Sequence, residues 1–209
     1  QEISAVSTTP FRIEFIVTGS LAVNDIDGGI SQDAFALEQQ INDVSVAPTK
    51  RSGDHLNPAY TFNRFVVGPN NEFAHTCCFR VADKPGQGLN PLFISGTSGM
   101  GKTHLLNAVG NYIKEKNPQI RVVYLSTERF FNEVISALRR STMEKFRKRY
   151  REMCDVLLLD DIQMFGRGEA VQNEFFNTLN DFFETSKQVV VACDRHPREI
   201  DGLADRIRT

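Results

Sequence analysis

Eight residues, Gly96-Thr97-Ser98-Gly99-Met100-Gly101-Lys102-Thr103, constrain this chain more than any others. They match the spacing G-x-x-x-x-G-K-[ST], in which glycines let the backbone curl until its N–H groups point inward at phosphate oxygens. The apolar run Leu92-Phe93-Ile94 before them reads as a buried strand. Leu105, Leu106, Val109 and Ile113 after them share one helical face. Strand, glycine-rich turn and helix is the context that gives the spacing its meaning, and a chance match in a chain of this length is on the order of one in a hundred. The helix after the loop places about half a positive charge at its N-terminus. The pattern implies a bound nucleoside triphosphate, with Lys102 reaching the β- and γ-phosphates and the Thr103 hydroxyl on a magnesium ion.

The region around this loop alternates two periodicities. Strand-like runs fall at Leu92–Ser95, Arg121–Leu125, Asp155–Leu159 and Gln188–Cys193, and helical patterns at Thr103–Lys116, Glu128–Arg140, Thr142–Met153 and Ala170–Thr185. Strands separated by helices argue for an α/β domain built on a parallel sheet with right-handed crossovers. The strand Val156-Leu157-Leu158-Leu159 ends in Asp160-Asp161, 58 residues after Lys102. At that place in a phosphate-loop protein one carboxylate holds magnesium and a second orients or activates the attacking water. The run Gln188–Cys193 ends at Asp194, putting a polar side chain at the carboxyl end of the sheet, where ligands of open α/β sheets bind. Asp160, Asp161 and Asp194 are therefore the candidates for catalysis.

Charge is unevenly divided. Residues 1–54 carry a net −5 and residues 55–209 a net +3, which together give the formal −2 of the chain. The second part is compatible with nucleic acid. No run of about 18 apolar residues marks a membrane span, and the first residues lack the basic-then-apolar order of a signal peptide. Cys77, Cys78, Cys154 and Cys193 have no metal-ligand spacing, so buried free thiols in a reducing cytoplasm are the expectation.

Residues 11–17 alternate apolar and polar side chains and read as a strand with nothing nearby in sequence to pair with. Residues 19–54, rich in Gly, Ser, Asp, Asn and Gln, read as a flexible linker. Arg139–Arg151 holds seven basic residues around an apolar stripe of Met143, Phe146, Tyr150 and Met153. On spacing alone the stripe is core and the basic residues a solvated face; a helix tracking a nucleic acid backbone is the alternative. Phe175, Phe176, Leu179, Phe182 and Phe183 recur at 3.6 residues per turn and read as a core face.

Taken together, Leu56-Asn57-Pro58-Ala59-Tyr60-Thr61-Phe62-Asn63-Arg64-Phe65-Val66-Val67-Gly68-Pro69-Asn70-Asn71, the run Gly96–Gly110, Tyr124-Leu125-Ser126-Thr127-Glu128-Arg129-Phe130, Leu157–Gln163 and Asp194-Arg195-His196-Pro197 resemble the DnaA family of bacterial chromosomal replication initiators. The resemblance runs from about Leu56 to Thr209. That family consists of AAA+ ATPases, so it implies ATP and Mg2+ as cofactors and a sheet ordered 5-1-4-3-2. It implies phosphate binding by Gly96, Gly99, Gly101, Lys102 and Thr103, passage of Val66–Asn71 near the adenine with Asn71 among the nucleotide-binding residues, magnesium at Thr103 and Asp160, Asp161 at the position of the catalytic glutamate of many AAA+ proteins, and Asp194 as a sensor. The helix pair Glu128–Met153 resembles the initiator-specific insertion. That turns the basic stretch toward single-stranded DNA, with Ile135, Lys145, Lys148, Arg149 and Arg167 as contacts.

The same resemblance assigns residues 1–18 to the tail of a small N-terminal domain and residues 55–209 to an ATP-binding domain. Thr209 then lies before the arginine finger, the fifth strand, the lid and the domain for duplex DNA, with Arg206 at a subunit interface. The phosphate-loop strand is accordingly expected at a sheet edge without a partner. The implied partners are origin DNA, further copies assembled head to tail, the replicative helicase, regulators and acidic membrane lipids, in the cytoplasm. Hydrolysis is expected to be slow and regulatory. A DnaA-like regulator or helicase loader is the nearest rival. A metabolic nucleotidase or kinase is more distant, because no constellation for a small-molecule substrate stands out.

Overall fold

Runs such as Val156-Leu157-Leu158-Leu159 and Val189-Val190-Val191 have no polar face to offer water, so their strands must be covered on both sides. The computed structural model, which describes residues 12–15, 56–162, 169–196 and 199, covers them with helices. In chain order the elements are β1 (Arg12–Phe15), a 3-10 turn (Phe62–Arg64), α1 (Glu72–Asp83), β2 (Leu92–Ser95), α2 (Lys102–Lys116), β3 (Val122–Ser126), α3 (Thr127–Arg139), α4 (Met143–Arg147) running into a π-helical turn (Lys148–Glu152), β4 (Val156–Asp160), α5 (Glu169–Glu184) and β5 (Gln188–Cys193). No described helix is long and apolar enough to cross a membrane.

The sheet runs β1-β2-β5-β4-β3. Strands β2 to β5 are parallel. With β2 as the phosphate-loop strand this is the order 1-4-3-2 of the expected AAA+ sheet. Alternate residues of each strand enter different cores. Leu92, Ile94, Val156, Leu158, Val190 and Ala192 pack with α1 and α2, whereas Phe93, Leu157, Leu159, Val189 and Val191 pack with α3, the π-helical turn and α5. Phe175, Phe176, Leu179 and Phe182 of α5 are buried in the second core, as their spacing predicts. Phe175 meets Phe130 of α3 edge to face, with ring centroids 5.6 Å apart.

The expectation of an unpaired edge is corrected. β1 pairs antiparallel with β2, Ile13 opposite Ile94 and Phe15 opposite Leu92. An edge strand offers a full row of backbone donors and acceptors, and an extended segment such as 12–15 satisfies them whatever its distance along the chain. The expected linker over residues 19–54 lies outside the described residues.

Two other features depart from the sequence reading. α1 is not among the predicted helices, although its buried residues Ala74, Cys77, Cys78, Val81 and Ala82 recur at helical spacing. Small alanine and cysteine side chains make that signal faint. The single helix predicted over Thr142–Met153 is broken by the π-helical turn, where the Met153 N–H reaches back five residues to the Lys148 carbonyl. The wider turn shifts the helical phase of the residues after it. Phe146 and Tyr150 stay buried, but Met153 leaves the stripe and is 54% exposed.

Candidate functional site

The site begins where β2 ends. The Gly96 N–H donates to the Cys193 carbonyl at 3.3 Å, carrying the β2–β5 ladder into the loop. Gly99 and Gly101 adopt φ of +83° and +91°, the left-handed region that side chains with a Cβ avoid. Gly101 is further constrained, since a Cβ there would lie 2.8 Å from the Phe65 ring. It caps α2, whose first residue, Lys102, is buried at 7% exposure. The Lys102 ammonium donates to the carbonyls of Gly96 at 2.6 Å and Thr97 at 2.9 Å. A cation held at the mouth of a glycine-rich loop, in line with the positive end of a fifteen-residue helix, is a strong anion-binding arrangement.

Thr103 brings the end of β4 into the same site. Its hydroxyl donates to Asp160 Oδ2 at 2.7 Å, across 57 residues of sequence. Asp160 is 4% exposed. It also accepts the Tyr124 hydroxyl on Oδ2 at 3.1 Å and the Asp161 N–H on Oδ1 at 3.1 Å. Burial raises the Asp160 pKa above the usual carboxylate value; the Asp161 charge adds to the rise, and the Thr103 and Tyr124 donors oppose it. A buried carboxylate beside a hydroxyl whose proton is already committed to it leaves hydroxyl lone pairs for a hard cation, so this donor set fits Mg2+. Asp161 comes directly after the strand with φ of +58° and is exposed. The turn thus separates two adjacent carboxylates into one inside and one at the surface. Thr127, the first residue of α3, donates to the Asp160 carbonyl at 3.0 Å and ties that helix to the site. Asp194, half-buried after β5, pairs with Arg195 at 2.9 Å.

The segment Leu56–Asn71 is fastened along α2 by side chains that spacing did not single out. Asn107 accepts the Asn57 N–H at 2.8 Å and donates to the Thr103 carbonyl at 2.7 Å. Asn111 donates to the carbonyls of Asn57 and Tyr60, both at 2.8 Å. His104 bonds the Thr61 carbonyl at 2.8 Å and stacks on Tyr60 at 4.8 Å between centroids. Gly110 permits the closest approach, because a Cβ there would sit 2.6 Å from the Leu56 side chain and 2.9 Å from that of Leu158. Asn71 closes the turn at the end of the segment, accepting the Gly68 N–H at 2.7 Å and donating to the Val66 carbonyl at 3.0 Å. Val66 and Val67 are exposed beside it.

The basic stretch divides into two faces. Arg147 and Arg151 turn toward α5 and grip Glu174, which is buried; the shortest contacts are 2.9 Å and 2.6 Å. Lys145, Arg149 and Arg140 line a groove of about 260 Å³ between α3 and α4 together with Glu133 and Phe146. Lys145 and Lys148 are exposed, and Arg149 reaches Glu133 at 3.4 Å. Ile135 is half-buried and packs against the core. Arg167 and Arg206 lie outside the described residues.

Comparison with known proteins places this geometry in context. The bacterial DnaA ATPase domain family matches residues 56–209. The chromosomal replication initiator protein DnaA of Bdellovibrio bacteriovorus is 48% identical over 217 residues, covering 100% of this chain and 46% of that protein. The chain thus spans about half the length of the curated relatives it matches. Among solved structures, domain III of the Thermotoga maritima replication initiation protein DnaA superposes with a TM-score of 0.71 at 42% identity, over 74% of this chain and 64% of that one. A replication initiator DnaA bound to AMPPCP and single-stranded DNA gives a TM-score of 0.70 at 40% identity, over 74% of this chain and 48% of that one.

Proposed function

The chain belongs to the bacterial DnaA ATPase family, and from that membership and the loop geometry we propose that it is the ATP-binding core of a chromosomal replication initiator. The observation that carries the reading is the union of a buried Lys102 in the glycine-rich loop with the Thr103–Asp160 pair at its side. Loop N–H groups and the N-terminus of α2 hold the phosphates, and Lys102 exchanges its carbonyl contacts for the β- and γ-phosphates. Thr103 and Asp160 hold the magnesium, which when bound supplies electrostatic neutralisation of the triphosphate. Asp161 orients water and Asp194 senses the γ-phosphate side. Val66–Asn71, its turn closed by Asn71, flanks the base.

In this reading the nucleotide is a switch and its hydrolysis is slow and regulatory. The ATP state assembles head to tail on origin DNA, with Arg206 at the subunit contact. Ile135 of α3, Lys145 of α4 and Lys148 and Arg149 of the π-helical turn, joined by Arg167, meet single-stranded DNA. The single-stranded DNA bound to a relative supports that ligand class, and the basic groove supports its placement here. Contact with duplex DNA, the replicative helicase, regulators and acidic membrane lipids, and a cytoplasmic setting, extend the proposal from the family resemblance. Lys102→Ala tests its centre. Equilibrium binding of labelled ATP should be lost while the circular dichroism spectrum is kept, and unchanged affinity would overturn the phosphate-loop reading.

A further inference from the structure

Asp160 is held by more than its own strand. Tyr124 lies on β3, one strand away in the sheet, and its hydroxyl donates to the same carboxylate oxygen that receives the Thr103 proton, at 3.1 Å against 2.7 Å. Tyr124 shares the α2 side of the sheet with Val122, so its ring rises toward Asn107. Asn107 lies near the Tyr124 hydroxyl, whose proton affinity is influenced by burial, the Asp160 charge and Asn107. Asn107 is 2% exposed and has two commitments, the Asn57 N–H and the Thr103 carbonyl. Bonds thus run from Asn57 through Asn107 to Thr103, and the hydroxyls of Thr103 and Tyr124 meet on Asp160. Nothing in the phosphate-loop pattern or the Asp160-Asp161 pair calls for a tyrosine here.

We infer that Tyr124 is a positioning residue for magnesium, acting through Asp160. Two hydroxyls on Oδ2 and the Asp161 N–H on Oδ1 fix the plane of the carboxylate, and Tyr124 is the donor that comes from a different strand. Without it the carboxylate is held from β4 and α2 alone and can rotate about its terminal torsion, which is broad for aspartate. Outer partners that orient a ligand are typically worth about 10- to 100-fold in metal affinity. The Tyr124 ring also packs in the core beneath α2, so loss of the hydroxyl alone separates positioning from packing.

The inference rests on the ATP-binding reading, and the experiment distinguishes the two. Labelled ATP is titrated onto the full chain, parent and Tyr124→Phe, first without divalent cation and then across a range of magnesium concentrations. The variant should keep the parental metal-free affinity and need about tenfold more magnesium for half of the metal-dependent gain. An identical magnesium dependence in parent and variant would overturn the inference, as would equal weakening with and without the ion, which marks a packing role. In an Asp160→Asn background, removing the Tyr124 hydroxyl should change nothing further, and additive losses would overturn it too. A parent that binds no ATP at all would remove the ATP reading and this inference with it.

Discussion

Replacing Glu174 by glutamine tests the division of the basic stretch into a structural and an exposed face. The Glu174 carboxylate is 6% exposed and receives Arg147 Nε at 3.1 Å, Arg147 Nη2 at 2.9 Å and Arg151 Nη2 at 2.6 Å. Glutamine keeps the volume but removes the charge, leaving two guanidinium groups facing a neutral amide that can donate as well as accept. Arg151 is the more exposed to this loss in energy: its side chain is 21% accessible, and its Nε is buried without a hydrogen-bond partner. Breaking a buried ion pair by removing one partner costs about 3–5 kcal/mol. Arg147 is 51% accessible and can recover water, which selects the lower end, about 3 kcal/mol. For a domain of this size each kcal/mol moves the melting midpoint by about 2–4 °C, so Glu174→Gln should melt about 6–12 °C lower. The assay is thermal unfolding monitored by circular dichroism at neutral pH, paired with single-stranded DNA binding well below both midpoints, where affinity should stay near the parental value. A midpoint shift below about 2 °C would mean that solvent already screens the triad. Weakened DNA binding by the folded variant would place Arg147 and Arg151 on the DNA side and refute the two-face argument.

The opposite face should behave in reverse. Changing Lys145, Lys148 and Arg149 together to glutamate should lower the melting midpoint less than Glu174→Gln does, because the Arg149–Glu133 pair it breaks is long and partly exposed. It should also weaken single-stranded DNA binding by the ATP state and flatten its salt dependence by about two units of slope for three lost phosphate contacts; a parental slope would return these residues to a solvated role. A third prediction concerns pH. The Arg121 guanidinium, 2.9 Å and 2.7 Å from Asp155, holds that carboxyl below its ordinary value of 3.8. A lowered folded-state pKa stabilises the fold above the ordinary value, and that contribution is lost as pH falls through the lowered one. Urea midpoints of parent and Asp155→Asn should therefore differ most at neutral pH and converge below 3.8; a gap that stays the same at every pH would show that Arg121 is not the cause.

Much of this protein is local information. Four parallel strands and the helix after the phosphate loop are legible because buried strands read as apolar runs and amphipathic helices as a 3.6-residue period. The loop, Asp160 and Asp161 are legible because phosphate and magnesium demand particular residue types at nearly fixed spacing. What the tertiary structure alone decided depends on which distant segments meet. Residues 12–15 look like a strand without a partner, and the partner is the open edge of β2, about eighty residues downstream. The seven basic residues of Arg139–Arg151 look alike until Glu174 of α5 claims Arg147 and Arg151 and leaves Lys145, Lys148 and Arg149 to another face. Met153 reads as part of a stripe until the π-helical turn advances the phase beneath it. Neither the phosphate-loop spacing nor the Asp160-Asp161 pair reveals the Tyr124–Asp160 contact, because that hydrogen bond requires only that β3 and β4 lie side by side. Spacing along the chain records the chemistry a loop must perform, whereas the partners of a buried polar group are set by three-dimensional proximity, which leaves no period in the sequence.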